Sequence, residues 1–509
     1  MCSTPKAATR SRGRPPRRSP RRSGVADELA LRIGGRAVPA TGGAVYDAVS
    51  PATGERIAAI ARAAEPDVDA AVAAAGRAFE AHRQESAFTR ADWCHRIAAV
   101  VEERAPEMAR LLALEHGKPV GQAEGEIRLA AEGFRLAAEE GKRLGGETVP
   151  VRDGAKLVLT TRKPRGVWAV MTPFNFPVNI PVEYLSPLLA CGNAVVWRPA
   201  PSMAAVAGAL YDCIEAADVP PGLVNLVTGP DLGPAQRLVS HPAVNGVGFT
   251  GSSKAGAEIA RLAAGKAQVM ELGGNGPIVV LPDADLDRAA PAIASAAFAN
   301  AGQSCSAAGR IIAAEPIAAE LEDRLVEEAR REVVGSPFDA ATTMGPVHTR
   351  GVADTMARHI ADGRARGGRT AFGGAPLPGR PTDLYWNPTV LVGLDEDAAV
   401  MSEETFGPLA PVLRVADDTE TIIAAANRGR YGLSSAVFGR DLDRTLAVAG
   451  RLRAGQVTVN DTSNYWELHL PFGGAPGTDS GHGRLGGRHM AEAVTEIQSI
   501  SIDLTPPWR

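Results

Sequence analysis

From Pro66 to about Leu144 apolar residues recur at three- and four-residue spacing, as in PDVDAAVAAAGRAF and IAAVVEERAPEMARLLALEHG, with Gly117 and Pro119 as punctuation. That period predicts amphipathic helices. After Gly166 the rhythm changes to short apolar runs, VWAVMT, AVVW, LVNLVT and VGFT, separated by helical stretches near 202–217, 231–240 and 252–264. Such a β-α-β series predicts a parallel sheet with right-handed crossovers. A second series follows Pro277, with IVVL, a helix from Asp285 to about Ala299, RIIAA, and another helix through 316–333. Two α/β lobes are the simplest reading. KLVLTTRKP (156–164) and VTEIQSISI (494–502) alternate apolar and polar residues as half-exposed strands do, and are expected to pair in a small separate sheet.

With 509 residues, 45% of them hydrophobic, the chain has room for about three packed units. No apolar run reaches the length of a membrane span, so no membrane partner is expected. The formal charge of −4 is unevenly spread. Residues 1–24 carry Lys6 and seven arginines with no acid, which leaves 46 basic and 58 acidic groups in residues 25–509. A body that acidic is a poor binder of nucleic acid. The opening SRGRPPRRSPRRSG is expected to be a disordered basic tail, since it has too little apolar surface to offset its ordering entropy. Five scattered cysteines, Cys2, Cys94, Cys191, Cys213 and Cys305, read as reduced thiols of a cytoplasmic protein. No cluster has metal-ligand spacing, so no metal is expected.

Three segments carry candidate chemistry. Cys305 lies in FANAGQSCSAAGR, a loop of small residues that leaves room for a substrate to reach a thiolate. Taken alone, it reads equally as a small buried side chain. Glu271 lies in VMELGGNGP, where an apolar strand meets a Gly-Gly turn, and reads either as a base with a raised pKa or as a turn-capping acid. GVGFTGSSKAG (246–256) has Gly-x-Gly-x-x-Gly spacing between strand and helix, suited to a phosphate at a helix N-terminus.

Taken in order, TPFNFP (172–177), ELGGNGP (271–277), GQSC (302–305), EETFGP (403–408), PFGG (471–474) and SGHGR (480–484) resemble the aldehyde dehydrogenase superfamily. The resemblance covers roughly residues 27–505 and implies an α/β fold with a Rossmann-type cofactor domain, an α/β catalytic domain and a small bridging sheet. The expected division is 25–145 and 165–275 for cofactor binding, 276–482 for catalysis, and 146–164 with 483–509 for bridging and oligomerisation. It further implies NAD- or NADP-dependent oxidation of a small aldehyde to an acid in a homodimer or homotetramer. Cys305 would be the nucleophile, Asn175 with the Cys305 N–H would hold the oxyanion, and Glu271 would activate the deacylating water. Around the cofactor would stand Thr172, Pro173, Phe174, Arg198, Pro201, Gly251, Ser252, Leu272, Glu404 and Phe406.

The sequence departs from the family pattern in three places. In AVVWRPAPS, Arg198 replaces a common lysine and Pro201 stands where an acid often accepts the ribose 2′-OH, which makes NADP use plausible. Tyr184 and Leu485 occupy the places of a Lys and a Glu that many relatives pair, so any proton relay must differ. Finally, DTSNYWELHL before Pro471 is aromatic, and Tyr465, Trp466 and Phe472 with Phe176 and Ile180 suggest a pocket for an aromatic or medium-length apolar aldehyde. The Tyr-Trp pair reads equally as subunit-interface packing. A thiol esterase built on Cys305 and a CoA-acylating dehydrogenase are the competing readings. Glu404, Phe406 and the phosphate loop disfavour the first, and the presence of Glu271 disfavours the second.

Overall fold

The computed structural model describes residues 28–505, so the basic tail lies outside the described residues. The first periodic run forms four helices, Glu65–His82, Ala87–Glu103, Ala105–His116 and Val120–Arg143. Gly117 ends the third with φ +96°, a left-handed cap that a side chain would strain, and Pro119 precedes the fourth.

The β-α-β series builds an eight-stranded sheet in the order Gly481–His482, Ala267–Glu271, Gly246–Thr250, Val167–Thr172, Ala194–Pro199, Val224–Leu226, Leu31–Ile33, Arg36–Val38. Its five central strands are parallel and the outer pairings antiparallel. Val167–Thr172 and Ala194–Pro199 are buried along their whole length, which is why they read as unbroken apolar runs. The chain moves outward from Val167–Thr172 to Val224–Leu226, then returns to the opposite side as Gly246–Thr250. The order therefore reverses between Val167–Thr172 and Gly246–Thr250, and the crevice beyond the carboxyl ends of strands at such a switch point is where this architecture takes ligands.

A second, seven-stranded sheet runs Arg369–Phe372, Thr389–Val392, Leu409–Val415, Arg310–Ala314, Pro277–Val280, Ser434–Phe438, Gln456–Val459. Each sheet has its own apolar core, and Phe174 packs against both. Lys156–Pro164 pairs antiparallel with Thr495–Asp503 over nine residues, and Thr148–Val149 completes a third sheet. The structure differs from the expected division at two places. Gly481–His482 belongs to the first sheet, pairing with Met270 and Glu271, so the stretch 276–482 is not all one lobe. Helix Gly487–Ala493 packs against helices Val120–Arg143 and Asn179–Ala190, leaving only Thr495–Asp503 of the C-terminal segment in the small sheet. Residues 45–61 add a hairpin, Val45–Val49 with Arg56–Ala61, that no strong period announced.

Candidate active site

Strand Val167–Thr172 ends at the crevice and runs through Pro173–Val178 into helix Asn179–Ala190. Asn175 sits in this turn, 2% exposed. Its backbone carbonyl accepts from Lys118 Nζ at 2.9 Å and from Asn300 Nδ2 at 3.0 Å. Its side-chain Oδ1 is buried with no hydrogen-bond partner, so the carboxamide is held in place by its backbone and left uncommitted. Lys118 is itself paired with Glu126 at 2.6 Å, and Glu126 Oε1 accepts from the N–H groups of Val178 at 2.9 Å and Asn179 at 3.2 Å. One buried ion pair thus grips both sides of the Asn175 turn.

Cys305 follows helix Leu286–Phe298 through a tight turn in which Asn300, Ala301 and Gly302 all have positive φ (53°, 55° and 68°). For Asn300 and Ala301 that conformation is costly and persists because the surroundings impose it. Asn300 Nδ2 bonds the carbonyls of Asn175 and Gln303, while Gln303 Oε1 accepts from His348 N–H at 2.7 Å. Glu271 closes strand Ala267–Glu271, and a Cβ on Gly274 just beyond it would collide with the Cys305 carbonyl. Glycine there lets the strand end and the cysteine loop touch.

The half-buried Cys305 thiol is pushed up to about 12, first by burial and then by the charges of Glu271 and Glu404. Glu271 is 2% exposed, and both its oxygens are buried without a partner. Burial raises its pKa well above the carboxylate range, the charge of Glu183 adds to the rise, and Arg484 opposes it. Side-chain oxygens left unpaired inside a protein are costly, and their place here beside a thiol is that of groups waiting for a ligand or water.

On the other side of the crevice, Ser252 caps helix Ser253–Leu262 by accepting from Ala255 N–H at 3.3 Å, with Gly251 before it. Glu404 Oε1 accepts from Gly274 N–H at 2.8 Å, and burial raises this acid to about 7. Phe406, at φ +56°, stands edge-on to Phe174 at 5.7 Å. Leu272 is buried against Gly256 of helix Ser253–Leu262, and Thr172 Oγ1 accepts from Trp197 Nε1 at 3.0 Å. Arg198 is 6% exposed: Nη2 donates to the carbonyls of Gly229 at 2.6 Å and Asp231 at 2.8 Å, while Nη1 is buried without a partner. Pro201 offers only its carbonyl, which accepts from Tyr46 at 3.0 Å. A helix N-terminus, a buried guanidinium nitrogen without a partner and a pair of edge-on rings fit a dinucleotide laid across the switch point.

Of the expected pocket residues, Ile180 is buried and Phe176 half-buried beside Lys118, whose ammonium lies 4.5 Å from the Phe176 ring centre. Tyr465 is 42% exposed and donates to Glu467 at 2.6 Å, Trp466 is half-buried, and Phe472 is buried with its backbone bridged to Leu485. Tyr184 bonds the Thr250 hydroxyl at 2.8 Å and Leu485 is core, so neither place holds a charge. Sequence reasoning missed Lys118, Glu126, Glu183, Asn300 and Gln303. The one local signal was a lysine directly after the glycine cap of a helix.

Two α/β lobes meeting over a cysteine, with a dinucleotide crevice on one side, define an oxidoreductase that works through a thiol. A sequence profile described as the aldehyde dehydrogenase family matches residues 38–500, and the chain belongs to that family. It is an NAD(P)-dependent enzyme that oxidises aldehydes. Among its relatives are the NADP(+) succinate-semialdehyde dehydrogenase of Escherichia coli K12, 35% identical over 93% of this chain and 97% of that one. Another is a glutarate-semialdehyde dehydrogenase of Pseudomonas aeruginosa, 34% identical over 92% and 96%. Of solved structures, betaine aldehyde dehydrogenase from Staphylococcus aureus in complex with NAD+ superimposes with a TM-score of 0.91 at 28% identity, covering 95% of this chain and 96% of that one.

Proposed function

We propose that Cys305, Asn175 and Glu271 carry the oxidation. The observation that supports this most directly is that the Glu271 carboxyl is buried with both oxygens unpaired where the cysteine loop meets the cofactor sheet. In this reading the Cys305 thiol gives up its proton to solvent, the thiolate sulfur bonds to the aldehyde carbon, and the carbonyl oxygen becomes an oxyanion held by the Asn175 Nδ2 and the Cys305 N–H. The nicotinamide, seated against Phe174, Phe406 and Leu272, would supply the hydride acceptor that turns the adduct into a thioester. Glu404 would hold its ribose and Gly251 with Ser252 its pyrophosphate. Glu271 then takes a proton from the water that attacks the thioester, releasing the acid and the free thiol. The enzyme is read as a cytoplasmic homodimer or homotetramer; among the described residues no helix is long and apolar enough to cross a membrane.

Cys305→Ala is expected to abolish aldehyde-dependent cofactor reduction while cofactor binding persists. Glu271→Gln is expected to keep a rapid burst of reduced cofactor equal to the enzyme concentration, followed by turnover slowed about 100-fold or more. Loss of the burst as well would move Glu271 to thiol activation. The sign of the pH dependence follows from burial. Cys305 acts as the thiolate and is pushed up, so kcat/KM climbs as pH rises above neutrality, and Glu271, which acts deprotonated in deacylation and is also pushed up, gives kcat the same sign. A profile falling over that range would contradict the assignment.

A further inference from the structure

Helix Arg350–Ala365 has no role in this chemistry, yet it packs against the segment that carries Glu404 and Phe406. Its Val352, Met356 and His359 are buried and lie four and three residues apart, on one helical stripe. Alternate residues of the segment meet that stripe. His359 Nδ1 lies 2.9 Å from the Thr405 hydroxyl and His359 Nε2 3.4 Å from the Glu403 carboxylate, while a Cβ on Gly407 would come within 2.6 Å of the Met356 sulfur. Asp362, three residues on, accepts from Ala399 N–H at 2.7 Å and so anchors the short helix Ala399–Ser402 that leads into the segment. The residues in between contact the crevice instead. Glu404 Oε1 accepts from Gly274 N–H at 2.8 Å, and Phe406 stands edge-on to Phe174.

The His359 imidazole is buried, with a carboxylate on one side and a hydroxyl on the other. A carboxylate oxygen only accepts, so Nε2 carries the proton and Nδ1 is left to accept from the Thr405 O–H. Burial, and then the charge of Arg358, push the ring's pKa down against the pull of Glu403 and Asp362, which keeps it in this neutral form. The two contacts are not equal. Glu403 is exposed and keeps Arg358 at 2.7 Å, whereas Thr405 is 7% exposed and its hydroxyl has no other hydrogen-bond partner among the described residues. Without the ring that hydroxyl would be stranded in the core.

Building on the reading of Glu404 as the group that holds the nicotinamide ribose, we infer that His359 is a positioning residue for the nicotinamide half of the cofactor: by fixing Thr405 it sets the adjacent Glu404 carboxylate at the ribose. Arg198, Gly251 and Ser252, read as meeting the other end of the dinucleotide, come from strands of the first sheet and the turns that follow them. His359 therefore bears on one half of the cofactor and not on the other.

The test separates the two halves. NADH and NADPH are titrated by cofactor fluorescence, and the adenosine half of whichever binds more tightly, ADP or 2′-phospho-ADP, by competition. His359→Leu is expected to weaken the whole dinucleotide on the order of tenfold, the worth of one buried hydrogen bond, and to leave the adenosine half unchanged. Thr405→Val, which removes the same bond from the other side, should do likewise. In a Glu404→Ala background His359→Leu should add less than about twofold, because the group it positions is gone. Unchanged dinucleotide affinity in either His359→Leu or Thr405→Val overturns the inference. So does an equal loss for the adenosine half, which would mark His359 as packing for the molecule at large, and so do additive losses in the double variant. Full dinucleotide affinity in Glu404→Ala alone would instead overturn the assignment of Glu404 to the ribose.

Discussion

Arg198 and Pro201 are the residues proposed to decide between the two cofactors, through what each can still offer. Arg198 Nη2 is tied to two backbone carbonyls, and the buried Nη1, left without a partner, is the group proposed to meet a ribose phosphate. Pro201 supplies no acceptor for a 2′-OH and no negative charge to repel a phosphate. NADP is therefore expected to work at least comparably to NAD. Introducing an acid by Pro201→Glu should shift the preference toward NAD by about 1–3 kcal/mol, the scale of a hydrogen bond to a charged group. The ratio of kcat/KM values for the two cofactors measures it, and a hundredfold preference for NAD in the unmodified enzyme would show that Nη1 does not reach the ribose.

Among the elements, the turn between strand Val167–Thr172 and helix Asn179–Ala190 depends on a pair it does not contain. Lys118 and Glu126 come from the end of one helix and the start of the next, both buried, and each bonds backbone of the turn. Lys118→Met leaves Glu126 charged and alone, an expected cost of about 3–5 kcal/mol. The double variant Lys118→Met with Glu126→Leu should recover part of that stability in thermal unfolding. It should not recover kcat, because Asn175 has lost its anchor. If the double variant regained full kcat, the pair would be structural only. This dependence was not legible in the chain, because the partners meet across a glycine cap and contact a turn more than fifty residues away. The helices of residues 65–143 and the parallel strands were legible, since their apolar periods run for many residues. Gly481–His482, a strand of two residues, has no period to read, and the left-handed turn at Asn300 and Ala301 is set by neighbours distant in sequence. Cys305, Glu271 and Asn175 could be picked out only because several motifs occur together in a fixed order. Taken singly, each had an ordinary reading.

For the whole molecule, the small third sheet is the feature that looks outward. Thr495–Asp503 is its edge strand, and Ile497 and Ile500 are 61% and 41% exposed. A long, unpaired edge strand carrying exposed isoleucines invites pairing with another chain. A dimer joined through this strand is the simplest cover, and two-fold pairing of such a dimer would give a tetramer. Light scattering at micromolar concentration should show no stable monomer. Ile497→Lys with Ile500→Lys should shift the population toward monomer, and deletion of residues 1–24 should change neither assembly nor turnover. A monomeric unmodified enzyme would overturn this assignment.

The late arrival of Gly481–His482 and Thr495–Asp503 bears on how the protein is made. Ala267–Glu271 waits for its outer neighbour until roughly 210 residues more have left the ribosome, and Lys156–Pro164 waits for about 330. At about 5–20 residues per second these two edges, one in the cofactor lobe and one in the small sheet, stay open for ten seconds to a minute. The strand that carries Glu271 is one of them, so a chain cut short before residue 481 would lack both the partner strand and the edge cover. During synthesis such a chain is a natural client for holding chaperones, and truncated products of this gene should be recovered in the insoluble fraction.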